Sequence, residues 1–398
     1  MGIIYLPSNS TASHRLHFDG QALDMYDLAL NMSWNDSNDY QFCHPFHSYL
    51  QFFTIFYTPI IVAIGLIGNL LSFFVLLTTH LKLRSSSYYL AALAISDFGF
   101  LVTVLITYCT YNEIFELFDR KEFCKLYVYL SSVCAFLSVW LTVAFTTERF
   151  IAVRYPLRRQ YICTVSRAKM IVVGIICFGL LSQVHLLWMV TAIKDEDRNI
   201  CEMDPAVNWY IANVINFLDT VFTFVIPMTL ILIMNTLIAK VIFKSRRLAF
   251  TDDDRFRFQY ASSQALNELQ SSDSTRNSDQ ESTASKRYIR YEEYSIRCNR
   301  QHRASNNQAQ HNINKMLLII SSVFIALNFP SYVIRIVAYF GFTMIDRIPP
   351  EYLHCAQLVS QMLYYTNFSI NFILYALCGR SFRLCLKKMF RDLFRRIV

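Results

Sequence analysis

An apolar run that begins near Cys124 ends on an acid, a base and an aromatic residue: Glu148, Arg149 and Phe150. An arginine at the end of a membrane span can reach the lipid headgroups or fix the depth of the span. The adjacent glutamate adds a third use, because the two opposite charges neutralise each other until another group takes the arginine. The sequence therefore predicts an ion pair that a partner can open.

Asp97 is a second residue with chemistry of its own, since it lies near the middle of another apolar run. A charge at that depth costs about 3 kcal/mol on insertion scales, so it needs polar neighbours. With neutral oxygens around it, the carboxylate can hold a hard cation such as Na+. A hydrated polar network that joins helices is the alternative.

Asp219 and Arg335 form a third pair, and each lies close to a proline. Asp219 is eight residues before Pro227, and Arg335 is five residues after Pro330. The two charges can pair with each other, or they can meet polar or charged ends of a ligand. Because a guanidinium suits a carboxylate or an amide carbonyl, the pair is a candidate for ligand recognition.

Membrane spans must position these side chains, because the chain of 398 residues is 54% hydrophobic and only 17% charged. Soluble domains carry about a quarter charged residues. A helix needs about 20 apolar residues to cross the hydrocarbon. Seven runs approach or exceed this length: 52–79, 86–110, 125–147, 170–192, 208–243, 315–341 and 355–378. Alternating strand patterning is absent, so we predict an all-α fold, a seven-transmembrane helix bundle.

The loops between these runs alternate in charge. Acidic residues dominate in 1–50, 111–123, 194–204 and 342–354, and basic residues dominate in the other loops. Because basic loops stay on the cytoplasmic side, we place the N-terminus outside the cell and the C-terminus in the cytoplasm. The net charge of +8 is thus divided between two faces of a membrane, and no nucleic-acid partner is expected.

The chain divides into five segments: an extracellular tail 1–50, spans one to five in 51–243, a third cytoplasmic loop 244–312, spans six and seven in 313–378, and residues 379–398. The third loop is rich in serine, asparagine and charge and is predicted to be disordered. It is either a regulatory loop with phosphorylatable serines or an inert tether. The last segment alternates apolar and basic residues at helical spacing, which is typical of a short amphipathic helix on the inner leaflet.

Sequence motifs predict two kinds of modification. Three Asn-X-Ser/Thr sequences in the outer tail predict glycosylation of Asn9, Asn31 and Asn35. Cys385, beside the terminal amphipathic helix, predicts palmitoylation.

Four cysteines fall on the predicted outer side, where the compartment is oxidising. We predict a disulfide between Cys124 and Cys201, which would tie the loop after span four across the opening of the bundle. The remaining pair, Cys43 and Cys355, is predicted to form a second disulfide.

The ordered motifs of the seven spans resemble those of rhodopsin-like (class A) G-protein-coupled receptors. They are Gly68-Asn69, Leu90–Asp97, Cys124, Glu148-Arg149-Phe150, Pro227, Phe324, Pro330, Asn371 and Tyr375. The stretch Glu148–Leu157, followed by Cys163–Lys169, looks like the thyrotropin-releasing-hormone receptors and related invertebrate neuropeptide receptors.

This resemblance implies three groups of functional residues. The ligand cavity would be lined by Tyr108, Tyr127, Ser131, Asp219, Tyr332, Arg335, Gln361 and Tyr365, and in the resembling branch an arginine at the position of Arg335 contacts an amidated peptide. The ion or polar network around Asp97 would include Asn69, Ser138, Asn367 and Asn371. The G-protein contact would use Glu148, Arg149, Phe150, Arg154, Pro156, Leu157 and Tyr375.

The sequence also departs from the family pattern. Aromatic and proline positions usual in the family are occupied here by Ile176, Asn235, Asn328 and Phe372. These departures concern the switching geometry rather than the architecture. Ser131 stands where amine receptors carry an aspartate, and Tyr365 stands where opsins carry the retinal lysine, so monoamine and light receptors are excluded.

The resemblance implies a plasma-membrane receptor for a short, amidated neuropeptide that signals through a heterotrimeric G protein. Arrestin, a receptor kinase and membrane lipids are further expected partners, and an allosteric Na+ ion is the only cofactor considered. A class A receptor for a protein or lipid ligand is the alternative. A transporter or channel is less favoured without internal repeats or paired broken helices, and an enzyme is disfavoured because no catalytic or phosphate-binding motif is present.

Overall fold

The computed structural model describes residues 44–111, 121–195, 198–244, 318–337 and 351–397. Eight long helices lie in these ranges: α1 (His44–Thr78), α2 (Ser85–Tyr111), α3 (Lys121–Arg154), α4 (Val165–Ser182), α5 (Tyr210–Lys244), α6 (Leu318–Val337), α7 (Glu351–Cys378) and α8 (Arg380–Ile397). Within the described residues, α1 to α6 supply six segments that are long and apolar enough to cross a membrane. The glycosylation sequences at Asn9, Asn31 and Asn35, and the loop 245–312, lie outside the described residues.

Helix α3 is longer than the apolar run that predicted it. The run covers 125–147, whereas the helix begins at Lys121 and ends at Arg154. The charged residues Glu148 and Arg149 continue the helix because both are buried inside the protein. Polarity in the sequence therefore does not mark the end of this helix.

The predicted span 170–192 corresponds to a candidate span of the structure, Val165–Met189, but the regular helix is interrupted inside it. Helix α4 ends at Ser182, where the backbone N–H of Gln183 donates to the backbone carbonyls of Gly179 and Leu181. A short helical turn, Leu186–Met189, then leads into a strand. The apolar run continued past the helix because the chain that follows is also buried, at Leu186, Met189 and Val190.

The predicted all-α fold omits a short β-hairpin in the loop after α4. Strand β1 (Val190–Asp195) pairs antiparallel with β2 (Arg198–Met203), and Ala192 faces Cys201 across the ladder. Each strand has only six residues, so the alternation is too short to be distinguished in the sequence. Buried residues of this hairpin pack with the start of α3 and with Ala212 of α5, so the hairpin joins the ends of two long helices.

Two glycines let α1 approach α7 closely. A Cβ atom on Gly65 would lie 2.5 Å from Ser369 Oγ, and one on Gly68 would lie 2.8 Å from Phe372 Cβ. Asn69 adds a hydrogen bond from its side-chain nitrogen to the carbonyl of Phe368, at 2.9 Å. Phe372, one of the departures from the family pattern, is thus accommodated by a glycine on the neighbouring helix.

Helices α5 and α6 each contain a local irregularity near a proline. In α5 a π-helical turn, Val221–Val225, precedes Pro227, and proline lacks the N–H that a regular helix needs. In α6, two residues before Pro330, the Asn328 side chain donates to the Phe324 carbonyl at 2.7 Å. Residues 236–318 form a separate compact unit, of which the structure describes the helical segment 236–244 and Leu318.

Helix α8 follows α7 after a single residue, Gly379. The Arg383 guanidinium donates to the carbonyls of Ala376 and Leu377, at 3.0 and 2.7 Å. These carbonyls lie in the last turn of α7, where a helix leaves its acceptors unsatisfied. The first turn of α8 is therefore fixed to the end of α7 by a charged side chain.

Candidate functional site

The predicted ion pair at the end of α3 is present and buried. The Arg149 Nη2 atom donates to Glu148 Oε1 at 3.1 Å, and the Ser85 hydroxyl donates to the same oxygen at 3.0 Å. The Arg149 guanidinium also lies 5.5 Å from the ring centroid of Phe145. Because Ser85 is the first residue of α2, the carboxylate connects two helices as well as holding the arginine.

The pair does not use all of the arginine's donors. Among the described residues, Arg149 Nε is a buried donor without a hydrogen-bond partner. A buried donor left in this state costs about 1–3 kcal/mol. An arrangement in which Arg149 gained a new acceptor would recover that free energy, so the guanidinium is suited to changing partners.

The residues that follow Arg149 divide into packed and exposed ones. Phe150 packs against the main hydrophobic core, whereas Arg154 and Pro156 are exposed and Leu157 is 88% exposed. An apolar side chain this exposed is available to a partner.

Tyr375, which the sequence assigned to the same contact, lies in the interior. It is 1% exposed, its ring meets the Phe382 ring edge-on at 5.7 Å, and its hydroxyl has no hydrogen-bond partner among the described residues. In this arrangement a partner cannot touch Tyr375. The predicted role of Tyr375 in coupling stays a prediction, and it requires a movement of α7 or α8.

Asp97 has two neutral partners from two other helices. The Ser138 hydroxyl donates to Oδ1 and the Asn371 side-chain nitrogen donates to Oδ2, both at 2.6 Å. Asn367 is also buried but is not among the hydrogen-bond partners of Asp97 in the described part of the chain. The carboxylate, which is fully buried, therefore joins α2, α3 and α7.

The oxygen atoms near Asp97 suit a hard monovalent cation. Besides the carboxylate and the Ser138 hydroxyl, the family pattern assigns Asn69 to this network, and the Asn69 side-chain oxygen is buried without a hydrogen-bond partner among the described residues. Oxygen ligands of this kind bind hard cations. No group of three or more acidic, histidine or cysteine ligands for a metal occurs in the described residues.

Arg335 lies over an aromatic stack in the other half of the bundle. Its guanidinium carbon is 5.5 Å from the Tyr332 ring centroid, and Tyr332 stacks on Phe224 of α5 with 4.1 Å between the centroids. Arg335 Nη1 is buried without a hydrogen-bond partner among the described residues. A buried cationic donor in this state is a candidate anchor for an acceptor on a ligand.

Asp219 accepts a hydrogen bond from a residue that the sequence reasoning missed. The side-chain nitrogen of Gln183 donates to Asp219 Oδ1 at 3.1 Å. Gln183 follows directly on the end of α4. A lone amide inside the apolar run 170–192 was the signal that could have found it, because polar side chains in a span usually bond another helix.

Several of the predicted ligand residues are satisfied by their own neighbours. The Tyr127 hydroxyl pairs with the Thr107 hydroxyl and the Thr103 carbonyl, and Ser131 accepts from the Thr103 hydroxyl. The remaining predicted residues bond one another or α1: Tyr108 with the Ile55 carbonyl, and Gln361 with Tyr365. Of the predicted set, Tyr332 and Tyr365 belong to one buried cluster and Tyr127 belongs to another.

An aromatic cluster that the sequence reasoning did not single out continues from Tyr332. Tyr364 meets Tyr332 edge-on at 6.2 Å and Phe368 at 5.1 Å, and Phe368 stacks on Phe100 at 4.0 Å. Phe100 and Phe368 lie three residues from Asp97 and Asn371, respectively. Ring contacts therefore run from the residue under Arg335 to the helical turn next to the Asp97 network.

The disulfide between Cys124 and Cys201 is confirmed. The two Cα atoms are 5.6 Å apart, and the bond joins the start of α3 to β2. Cys43 lies outside the described residues, so its pairing with Cys355 stays a prediction; Cys355 itself is buried and disulfide-bonded.

Cys385 does not lie on the surface. It is 2% exposed, and its sulfur lies 3.6 Å from Nδ1 of His80, in the 3-10 turn that follows α1. Palmitoylation of Cys385 stays a prediction, and it requires the thiol to leave this contact.

Comparison with known proteins gives a consistent result along the chain. The sequence model described as "7 transmembrane receptor (rhodopsin family)" matches residues 68–375. The thyrotropin-releasing hormone receptor of Gallus gallus is 28% identical over 199 residues, 48% of this chain and 49% of that receptor. The same receptor of Ovis aries is 24% identical over 85% of this chain and 78% of its own length. The FMRFamide receptor of Drosophila melanogaster is 21% identical over 81% of this chain and 51% of that receptor.

Proposed function

Because the chain belongs to the rhodopsin family of seven-transmembrane receptors, we propose that it is a receptor for a short amidated peptide that activates a heterotrimeric G protein. The observation that carries the proposal is the buried Glu148–Arg149 pair, with an exposed segment directly after it, inside a family match of 68–375. Similarity to receptors named for thyrotropin-releasing hormone and FMRFamide supports a peptide as the ligand.

Helix α7 is the seventh span in this proposal. It has 28 residues, about 42 Å at 1.5 Å per residue, which exceeds the hydrocarbon thickness. Its hydrogen bonds to α1 and α2 through Phe368 and Asn371 support a place inside the bundle. The alternation of acidic and basic loops supports an extracellular N-terminus, a cytoplasmic C-terminus and insertion in the plasma membrane.

Helix α8 lies on the inner surface of the membrane in the same proposal. Its buried side, with Phe382 and Cys385, packs on the bundle, whereas Leu384 and Phe394 are exposed among basic residues. Exposed apolar residues flanked by Lys and Arg suit a surface of anionic lipid. Arrestin and a receptor kinase are further partners in this proposal, with the third loop 244–312 as the segment they would modify or bind.

The mechanism is a shift between two arrangements of the helices. A ligand that binds the outer cavity better in the active arrangement raises the population of that arrangement. The prolines of α5 and α6 weaken the backbone hydrogen bonding, which allows both helices to bend. Arg149 then exchanges Glu148 for an acceptor on the G protein, and Leu157 supplies an apolar contact beside it.

The experiment that tests the function is agonist-stimulated nucleotide exchange. The receptor, expressed with a surface tag, is screened against a library of amidated short peptides with calcium and cAMP readouts. A hit is then tested for GTPγS binding in membranes with purified G proteins. A receptor at the cell surface that responds to lipids or proteins but to no peptide would support the alternative ligand class, and transport without nucleotide exchange would exclude the proposal.

Substitution of Arg335 by alanine should lower the potency of the active peptide by about 100-fold, since a hydrogen-bonded charge lost from a buried contact costs about 2–5 kcal/mol. The buried Nη1 atom without a partner is the group that the ligand would use. Arg335→Lys keeps the charge but lacks the planar fork, and should recover only part of the potency. An unchanged concentration–response curve for Arg335→Ala, at equal surface expression, would show that this residue is not an anchor.

A sodium ion is expected to bind the Asp97 network, held by Asp97, Ser138 and Asn69. When bound, it would supply a positive charge to a buried carboxylate that has only neutral hydrogen-bond partners. An ion that favours the arrangement with this network closed must, by linkage, weaken binding of a ligand that favours another arrangement. Replacement of choline chloride by NaCl should therefore lower agonist affinity about 5- to 10-fold in the wild type.

The Asp97→Asn variant is the control for this sodium effect. It keeps the size of the side chain and removes the charge, so agonist affinity should become independent of Na+ while remaining measurable. Equal responses to NaCl in the wild type and in Asp97→Asn would assign the salt effect to general screening rather than to this network.

A further inference from the structure

The contact between Gln183 and Asp219 leaves one polar atom in a fixed orientation. A carboxylate only accepts hydrogen bonds, so Gln183 must turn its amide nitrogen toward Asp219 Oδ1, at 3.1 Å. The amide oxygen then points away from that contact. Gln183 is only 3% exposed, and its Oε1 atom is buried without a hydrogen-bond partner among the described residues.

This oxygen lies in the same region as the proposed ligand anchor. Asp219 is buried on α5, five residues before Phe224, whose ring stacks on Tyr332 at 4.1 Å, and Tyr332 lies under Arg335. His185, two residues after Gln183, directs Nδ1 to the Ser182 carbonyl at 2.9 Å. The described structure thus provides an anionic and a neutral acceptor next to each other, and the anionic one lies on the helix whose Phe224 stacks on the tyrosine under Arg335.

A hydrogen bond that joins two elements is the simplest function of such a contact, but it does not account for the unsatisfied Gln183 Oε1 atom. An interhelical hydrogen bond needs only the amide nitrogen and the carboxylate. A leucine or methionine would otherwise fill the position of Gln183 without leaving a buried acceptor unsatisfied. The unsatisfied acceptor beside a carboxylate is what a ligand with several N–H donors would require.

We propose that Gln183 and Asp219 form a subsite for a guanidinium group of the ligand, so that the peptide carries an arginine side chain directed between α4 and α5. One N–H of the guanidinium would donate to the Asp219 carboxylate and another to Gln183 Oε1. A planar group with donors on neighbouring nitrogens fits two adjacent acceptors better than a single ammonium does. The proposal rests on the proposed function, and it adds the chemistry of one ligand residue to it.

Two fragments of matched shape test the subsite without knowledge of the natural ligand. Nα-acetyl-arginine amide and Nα-acetyl-citrulline amide differ in charge and in one donor group but are nearly equal in size. At about ten times its dissociation constant, the arginine fragment should raise the melting temperature of the detergent-purified full-length receptor by about 2 °C. The citrulline fragment should have no effect.

Two variants locate the fragment effect. Asp219→Asn should abolish the shift given by the arginine fragment, and Gln183→Leu should reduce it. Thr229→Val is the matched control, because the Thr229 hydroxyl bonds only its own helix at the Val225 carbonyl and is exposed. No shift in the wild type, or an equal shift in wild type and Asp219→Asn, would overturn the proposal.

A peptide assay separates this proposal from the proposed function. For any active peptide that contains arginine, replacement by citrulline should lower potency about 100-fold on the wild type, and this ratio should fall to near one on Asp219→Asn. Gln183→Leu should lower the potency of the arginine peptide about 10-fold. Active peptides without any basic residue, or an equal loss for arginine and citrulline peptides in Asp219→Asn, would overturn the subsite while the peptide receptor stands. If no peptide activates the receptor, the proposed function fails and the fragment experiment still decides the subsite.

Discussion

Substitution of Arg149 by alanine is expected to abolish agonist-stimulated nucleotide exchange, to less than about 1% of the wild-type rate, because a charge pair buried at an interface contributes several kcal/mol. In the structure its guanidinium binds Glu148 at 3.1 Å, and its Nε donor has no partner in the part of the chain that the structure describes. The proposed active arrangement uses those donors for the G protein. Agonist binding itself should persist, because none of the proposed ligand residues is Arg149 or Glu148.

The alanine variant also leaves Glu148 buried without its cationic partner, which destabilises a protein by about 3–5 kcal/mol. Loss of exchange could therefore reflect poor folding, and a second variant separates the two effects. Glu148→Gln combined with Arg149→Ala removes the unpaired charge, while the carbonyl oxygen of the introduced amide can still accept from the Ser85 hydroxyl. This double variant should reach the surface and bind agonist, yet remain unable to stimulate exchange.

Exchange restored to wild-type levels in the double variant would show that Arg149 is a structural residue and not a coupling residue. Arg154→Ala is a comparison on the same helix, at a second residue that is predicted to contact the G protein. Arg154 is exposed and lies 5.7 Å from the Tyr155 ring centroid. Its loss should lower the exchange rate by no more than a few-fold, since exposed charges contribute about 0–1 kcal/mol.

Substitution of Cys124 by serine should lower the amount of receptor at the cell surface by at least 10-fold. The disulfide to Cys201 closes a loop of 77 residues, for which chain entropy gives a stabilisation of about 4 kcal/mol. Both sulfurs lie in a cluster with the hairpin residues Val190 and Met203. Without the bond, the hairpin loses its covalent attachment to α3.

Two further variants test this disulfide effect by flow cytometry with an N-terminal tag. Cys124→Ser combined with Cys201→Ser should be no worse than either single variant, because all three lack the same bond. Cys177→Ser is the control, since Cys177 is a free and exposed thiol. Normal surface expression and agonist binding of Cys124→Ser would show that packing alone holds the hairpin in place.

The helices and the buried charges could be predicted from the sequence, because each depends on a strong and local signal. A run such as 86–110 differs little from the helix Ser85–Tyr111, since the bilayer requires about 20 apolar residues. Asp97 and Arg149 were identified because charges in apolar segments are costly and therefore need partners. In the first case the dominant cost is that of placing polar groups in the hydrocarbon, and in the second it is that of burying a charge without a partner.

The partners of those charges could not be predicted from physical reasoning on the sequence alone. Asn371 is 274 residues from Asp97 in sequence, and Ser85 is 63 residues from Glu148. Such contacts depend on how helices pack, and many polar residues in the spans are equally suitable. The family pattern indicated Ser138 and Asn371 correctly as neighbours of Asp97, whereas it gave no indication of Gln183 beside Asp219.

The tyrosines show that residue type alone does not predict which side chains are available to a ligand. Tyr127 and Tyr108 are typical cavity residues by composition, but their hydroxyls bond Thr107 and Ile55 within the bundle. Tyr364, one residue before the predicted Tyr365, has a ring contact with Tyr332 that the sequence did not indicate. A difference of one residue turns a side chain by about 100° around a helix, which follows from 3.6 residues per turn.

The two hydrogen bonds of Asp97 have a consequence for biosynthesis. Ser138 is synthesised 41 residues after Asp97, but Asn371 is synthesised 274 residues after it, when nearly all of the chain has left the ribosome. Until then the nascent protein holds a carboxylate in the bilayer with one of its oxygens unpaired. Helix α7, the proposed last span, therefore completes the pairing of the acid that is most deeply buried among the described residues, and chains that end before it should be retained by the quality control of the endoplasmic reticulum.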